Sequence, residues 1–182
     1  MPPGRYSVRM TAAGQTLAEP FAVLKDPRSR ATPAELAEQY ALLSAIRDRT
    51  SMAHEAVKTI RRVRDQLQAR RARLGQRGGA VGRAAAPLLA RLAEIEGELY
   101  QVRNRSAQDP LNYPIKLSNK IAALGPTVGS AEAKPTAQSY EAFRLLAAQL
   151  DVELKRLADV LERQLPAVNA ALETAGAEPV AP

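Results

Sequence analysis

The sequence predicts a mainly α-helical protein: an up-down antiparallel bundle of three long helices and one short helix, preceded by a β-hairpin. Three observations support this fold class. Residues 6–24 alternate apolar and polar side chains, which is the period of a strand. After residue 32, apolar residues recur every three or four positions over long segments, which is the period of a helix that faces a core. Aromatic residues make up only 4% of the chain and Trp is absent, whereas a large β-sandwich or propeller usually carries more.

The hairpin is predicted from Tyr6, Val8 and Met10 on a first strand, a turn at residues 13–15, and a return strand that ends near residue 24. Pro20 interrupts the return strand, which favours an edge position or a bulge. A lone two-stranded hairpin is only marginally stable in water. We therefore expect residues 1–28 to be the last strands of a truncated β-domain whose other strands are missing.

The helical part is predicted to occupy residues 32–176. Thr32, Pro33 and Glu35 form a helix start with a capping box, and the first apolar stripe continues to about Leu74. Glycines at 75–82 break the chain before a second helix at about 83–105. A short helix follows near 115–128, and a last helix runs from Thr136 to the Gly176 region, with a kink or restart expected at Pro166. Residues 177–182 are predicted to be a disordered tail.

The net charge of +7 is concentrated in one stretch of the first two helices. Residues 58–83 contain nine Lys or Arg and one acidic residue, Asp65. Since the first predicted helix is longer than the second, its basic end is expected to project beyond the bundle. Such an end could bind nucleic acid or an acidic protein partner, or it could be a solvated helix tip; the lack of aromatics between Tyr40 and Tyr100 favours the tip. The candidate contact residues are Arg61, Arg62, Arg64, Arg70, Arg71 and Arg73.

No catalytic, cofactor or metal site is predicted, so the chain is not expected to be an enzyme. The chain has no Cys and a single His, His54, which is too few for a usual zinc site. The carboxylates of Glu94, Glu96 and Glu98 are interpreted as a solvated helix face. The loop at 109–120 is unusual because two prolines restrict it; it is either structural punctuation or a loop that binds a ligand or docks on another domain. Its candidate docking residues are Asn112, Tyr113, Lys116 and Asn119.

Targeting signals give little information. No apolar run approaches the length of a membrane span, and the first residues lack the apolar core of a signal peptide. On this basis alone the chain would stay in the cytoplasm.

Distinctive linear motifs lie at residues 3–10, 14–16, 24–28, 111–120 and 135–140. Together they resemble the C-terminal end of large bacterial sortilin-like, Asp-box-repeat β-propeller proteins, which are often labelled glycosyl hydrolases of sialidase- or xyloglucanase-like type. The resemblance implies that the hairpin closes an immunoglobulin- or fibronectin-like domain and that the helices form a non-catalytic accessory domain. It also implies a periplasmic or secreted parent. The expected partner is a protein: the parent propeller domain that the resemblance implies, or a second copy of the chain bound through the exposed hairpin. The Asp-box motif itself is absent, so no catalytic residue is implied.

Overall fold

The computed structural model describes residues 2–106 and 108–182 and confirms the predicted fold class: a β-hairpin followed by a helical bundle. The first and last helices are the longest, with 42 and 38 residues, and the two between them have 21 and 12. In chain order the elements are β1 (Gly4–Ala12), β2 (Gln15–Val23), α1 (Pro33–Leu74), α2 (Gly79–Leu99), α3 (Leu117–Val128) and α4 (Ala137–Thr174).

The start of α1 carries the predicted capping box. The Thr32 Oγ1 accepts a hydrogen bond from the Glu35 backbone N–H at 3.2 Å, and the Glu35 carboxylate accepts one from the Thr32 N–H at 2.8 Å. The Thr32 backbone and hydroxyl bonds together hold the pKa of Glu35 below its ordinary value. Gly75 follows α1 with φ of +54°, a conformation that favours glycine, and so ends the helix where the sequence predicts.

The helix directions follow from contacts at both ends of α1. Near its start, Gln39 donates to the backbone carbonyls of Val128 at the end of α3 and Ala131 before α4. Near its end, Arg70 contacts the chain just after α4. Helix α4 therefore runs parallel to α1. Helices α2 and α3 run the opposite way, with α2 beside the second half of α1 and α3 beside the first half.

This arrangement buries one continuous core. Its fully buried side chains come from all four helices: Ile60, Val63, Leu67, Val81, Leu88, Leu92, Ile95, Leu99, Ile121, Leu150, Val168 and Leu172. Of the kink or restart expected at Pro166, the restart does not occur, because helix α4 continues through the proline. The proline removes one intrahelical hydrogen bond, but Leu165 and Val168 on either side are buried, and their packing holds the helix together.

Three further details correct the expectations for α1 and α2. A single 3-10 turn at Gly75–Gly78 joins the two helices, and α2 begins at Gly79 because Val81 is already in the core. Helix α2 ends at Leu99, and Val102 is 49% exposed instead of packing. The end of α1 does not project beyond the bundle, since Leu67 and Leu74 are both buried.

The prediction of a disordered tail at residues 177–182 is wrong. Gly176, at φ +77°, turns the chain back at the end of α4, and the Ala177 N–H donates to the Leu172 carbonyl at 2.9 Å. The following residues, which we call the tail segment (177–182), return along α1 and α4. Val180 is only 3% exposed and belongs to the core, so its burial orders the segment.

The hairpin has a two-residue turn and an uninterrupted register. Ala13 and Gly14 have φ values of +50° and +77°, as in a type I′ turn. Pairing continues from Ala12 opposite Gln15 to Gly4 opposite Val23 without a bulge. Counted from the turn, Ser7 and Pro20 form a pair that does not exchange hydrogen bonds, so the missing N–H of Pro20 points away from β1. The proline is accommodated as an edge residue.

We expect Ala13→Asn to stabilise the hairpin by about 1 kcal/mol, because Asn tolerates the left-handed conformation that costs Ala free energy. Amide hydrogen exchange of β1 and β2 would measure the change as slower exchange. Ala18→Asn, on the strand, is the control and should give no slowing. Equal slowing in both variants would contradict the explanation from turn conformation.

Candidate interaction surfaces

The basic end of α1 forms internal ion pairs. Arg61 Nε lies 2.6 Å from one carboxylate oxygen of Glu96 in α2, and Arg64 Nη1 lies 2.8 Å from the other. The Arg61 guanidinium also lies over the Tyr100 ring, 5.1 Å from its centroid. The Glu96 side chain is only 4% exposed, whereas both arginine side chains are 43% exposed. The three charges therefore join α1 to α2 in the structure.

The burial of Glu96 contradicts its interpretation as part of a solvated face. The sequence did contain a signal, because Glu96 lies four residues after Leu92 and three before Leu99, on the same helical face as both. Glu94 and Glu98, by contrast, are exposed. A carboxylate at a core-facing position needs a cationic partner, and arginines 35 and 32 residues away in the sequence supply it.

Arg62 and Arg70 contact the tail segment. Arg70 donates to the carbonyls of Glu178 at 2.7 Å and Pro179 at 2.9 Å, and Arg62 donates to that of Pro182 at 3.1 Å. Arg71 and Arg73 are exposed and form no ion pair within the described residues. Of the six predicted contact residues, four thus have partners inside the chain, and the basic surface open to an outside partner is smaller than expected.

The hairpin carries an uncovered apolar face. Its register puts Tyr6, Val8 and Met10 of β1 on the same side as Leu17 and Phe21 of β2, with Glu19 of β2 opposite Val8 as the one charged side chain on that side. Tyr6 and Phe21 stack with ring centroids 5.8 Å apart, yet Val8, Met10 and Leu17 are 56%, 60% and 62% exposed. Throughout the described part of the chain, neither strand packs its backbone against a helix.

A cleft lies where the hairpin joins the bundle. It has a volume of about 730 Å³, and its walls include Pro3, Leu24, Tyr40, Leu43 and Glu132. The connecting loop is anchored on one side by Lys25, whose Nζ donates to the carbonyls of Ser29 and Ala31 at 2.5 and 2.7 Å. Leu24 is 84% exposed and Tyr40 is 44% exposed, so apolar surface continues from the hairpin to α1.

The predicted docking loop borders a second, smaller groove. Lys116 lies 3.6 Å from the Glu98 carboxylate, and with Ile115 and Val152 it lines a volume of about 410 Å³. The Tyr113 ring lies under the Arg103 guanidinium at 5.6 Å. Asn112 and Asn119 are exposed and do not line the groove. Of the four candidate residues, Tyr113 and Lys116 thus contact another side chain of the protein, Arg103 and Glu98 respectively.

Asp109 organises the chain before this loop. Its carboxylate accepts hydrogen bonds from the backbone N–H groups of Arg105 and Ser106, the latter at 2.8 Å. These bonds, the Arg105 bond first, hold the pKa of Asp109 below its ordinary value. The side chain of Gln101 extends the same organisation, since it is buried and donates to the Pro114 carbonyl at 2.8 Å.

His54 is exposed on α1, and residues 2–106 and 108–182 contain no group of three or more His, Asp or Glu side chains placed to hold a metal ion. Among those residues, none of the helices combines the length and the apolar character that crossing a membrane requires.

A comparison of the chain with family models, with curated proteins and with solved structures finds no match.

Proposed function

We propose that this chain is a non-catalytic accessory domain that acts through protein contact, and that its hairpin packs on a β-domain. The single observation that carries the proposal is the uncovered apolar face of Tyr6, Val8, Met10, Leu17 and Phe21. Apolar surface that is contiguous and exposed marks a site of protein association more often than scattered apolar residues do.

The form of the face favours a β-domain as partner. Sheets pack on sheets about 10 Å apart by interdigitating the side chains of two apolar faces, and a hairpin two strands wide presents such a face. The resemblance to the ends of propeller-type proteins supports the same kind of partner, an immunoglobulin- or fibronectin-like domain. A second copy of the chain could use the same face. In either case the bundle serves to position the hairpin.

A polar substitution of the apolar face tests this proposal. The combined variant Val8→Thr, Met10→Thr and Leu17→Thr keeps residues that favour strands and removes most of the exposed apolar area. We expect it to bind less of the dye 8-anilinonaphthalene-1-sulfonate and to show weaker concentration-dependent association in sedimentation velocity. We expect at least about a tenfold change in the association constant, because three half-exposed side chains lose apolar contact area.

The opposite face of the hairpin supplies the matched control. The variant Arg5→Thr and Arg9→Thr changes two side chains on the same strand but leaves the apolar face intact. It should retain dye binding and association. If both variants behave alike, the apolar face is not the contact surface. Turnover of a glycoside by the purified chain would contradict the non-catalytic role.

A further inference from the structure

The tail segment lies in its groove in the manner of a bound peptide. The tail groove is lined by Arg62, Gln66 and Arg70 of α1 and by Asn169 of α4. Each of the five consecutive carbonyls from Glu178 to Pro182 accepts a hydrogen bond from one of these side chains. The segment contributes no helix or strand of its own, so the groove alone satisfies these backbone groups.

Two side-chain amides, Asn169 and Gln66, each bind both the N–H and the C=O group of one residue in the tail segment. Asn169 accepts from the Val180 N–H at 2.8 Å and donates to the Val180 carbonyl at 3.0 Å. Gln66 donates to the Ala181 carbonyl at 2.8 Å and accepts from its N–H at 3.4 Å. A neighbouring strand would make the same paired contacts. Recognition through the main chain fixes an extended conformation without depending on most side chains.

Specificity comes from one apolar side chain and two prolines. Val180 is 3% exposed and packs in the core cluster, whereas Glu178, Pro179, Ala181 and Pro182 are exposed. Pro179 and Pro182 have no N–H, so the groove needs no acceptor at those positions, and each proline disfavours the helical conformation of the residue before it. The groove therefore fits an extended peptide with a Val-sized residue between prolines.

We propose that the tail groove is a binding site for an extended Pro-Val-Ala-Pro segment, and that the tail segment of a second copy occupies it when the chain's own segment is released. Every copy carries both the groove and the ligand. Within one copy the short connection through Gly176 holds the ligand at a high effective concentration, which keeps the site closed to a second copy until the segment is displaced. If two copies exchange their tail segments, each segment has to reach the groove of the other copy. Because six residues span at most about 20 Å, the ends of the two α4 helices would then lie side by side.

The full-length variant Val180→Asp is designed to release the tail segment, so that binding of a separate peptide to the tail groove can be measured. A charged side chain does not enter the core, so the variant's own segment should leave the groove. The probe is a fluorescently labelled, amidated hexapeptide with the sequence of residues 177–182, followed by anisotropy. We expect it to bind Val180→Asp at least about tenfold more tightly than the unsubstituted protein, whose own segment competes.

Two controls separate recognition from non-specific binding. Adding Asn169→Leu should abolish binding of the peptide, while adding Gln149→Leu, an exposed amide on the same helix, should leave it unchanged. A peptide with Asp in place of Val should not bind. A folded Val180→Asp variant that does not bind the peptide would overturn the proposal, as would binding that does not respond to Asn169→Leu.

A second measurement uses the unsubstituted protein, so its outcome does not depend on whether the Val180→Asp variant folds. Excess hexapeptide should displace the chain's own segment and so speed amide hydrogen exchange at Val180 and Ala181, whereas the Asp-containing peptide should have no effect. Unchanged exchange at saturating peptide would contradict the proposal on its own.

Discussion

Replacing Arg61 and Arg64 together with Met is expected to lower the free energy of unfolding by about 3 kcal/mol. The double substitution leaves the Glu96 carboxylate, which is only 4% exposed, without a cationic partner. The expected loss lies at the lower end of the range for breaking a buried ion pair, because the arginines are nearly half exposed and water can partly replace them. Met retains the aliphatic length, so lost packing contributes little.

Denaturation in urea gives the measurement, with the midpoint and the slope determined for each variant. Adding Glu96→Leu to the double variant should recover most of the lost stability, since the isolated buried charge is then removed. Arg71→Met with Arg73→Met is the matched control: two exposed arginines of the same helix, with an expected effect within about 0.5 kcal/mol. If the triple variant is as unstable as the double one, the loss does not come from an unpaired carboxylate.

Leu150→Ala is expected to lower the free energy of unfolding by about 2–5 kcal/mol, the range for truncating a buried leucine. Leu150 is fully buried in α4. The substitution leaves a cavity, and the side chains around it lose their contacts with the leucine. The loss is large because α4 packs against α1, α2 and α3, and side chains from separate helices cannot all move into the space.

Leu145 provides a control of the same residue type on the same helix. It is 61% exposed, so Leu145→Ala should change stability by no more than about 0.5 kcal/mol. Thermal or urea denaturation of both variants compares a buried with an exposed position at equal change in helix propensity. A similar loss for both would mean that α4 does not pack as the structure has it.

Local chemistry explains which features were predictable from the sequence. The start of α1 was predictable because Thr32, Pro33 and Glu35 interact within one helical turn. The end of α1 was predictable because only a residue like Gly75 tolerates the conformation required there. Apolar periodicity likewise predicted the core positions Leu88, Leu92, Ile95 and Leu99.

The features that escaped prediction depend on residues distant in the sequence. Glu96 is buried because arginines more than 30 positions earlier reach it. The tail segment is ordered because Arg70, Gln66 and Arg62 hold residues that follow them by 108 to 120 positions. A short segment rich in Pro and Ala has no apolar periodicity from which its order could be predicted. Its order depends on the groove, which forms only when the helices have packed.

The hairpin register also determines how strands could be added to its edges. On β1 the outward N–H groups belong to Arg5, Ser7, Arg9 and Thr11, and all are available as donors. On β2 the outward position in the middle is Pro20, which cannot donate, so a strand added there would lack a ladder bond at its centre. Open-ended growth needs both edges in alternation. The proline therefore disfavours propagation into a fibre, while pairing of one other strand with β1 keeps every outward donor of that edge.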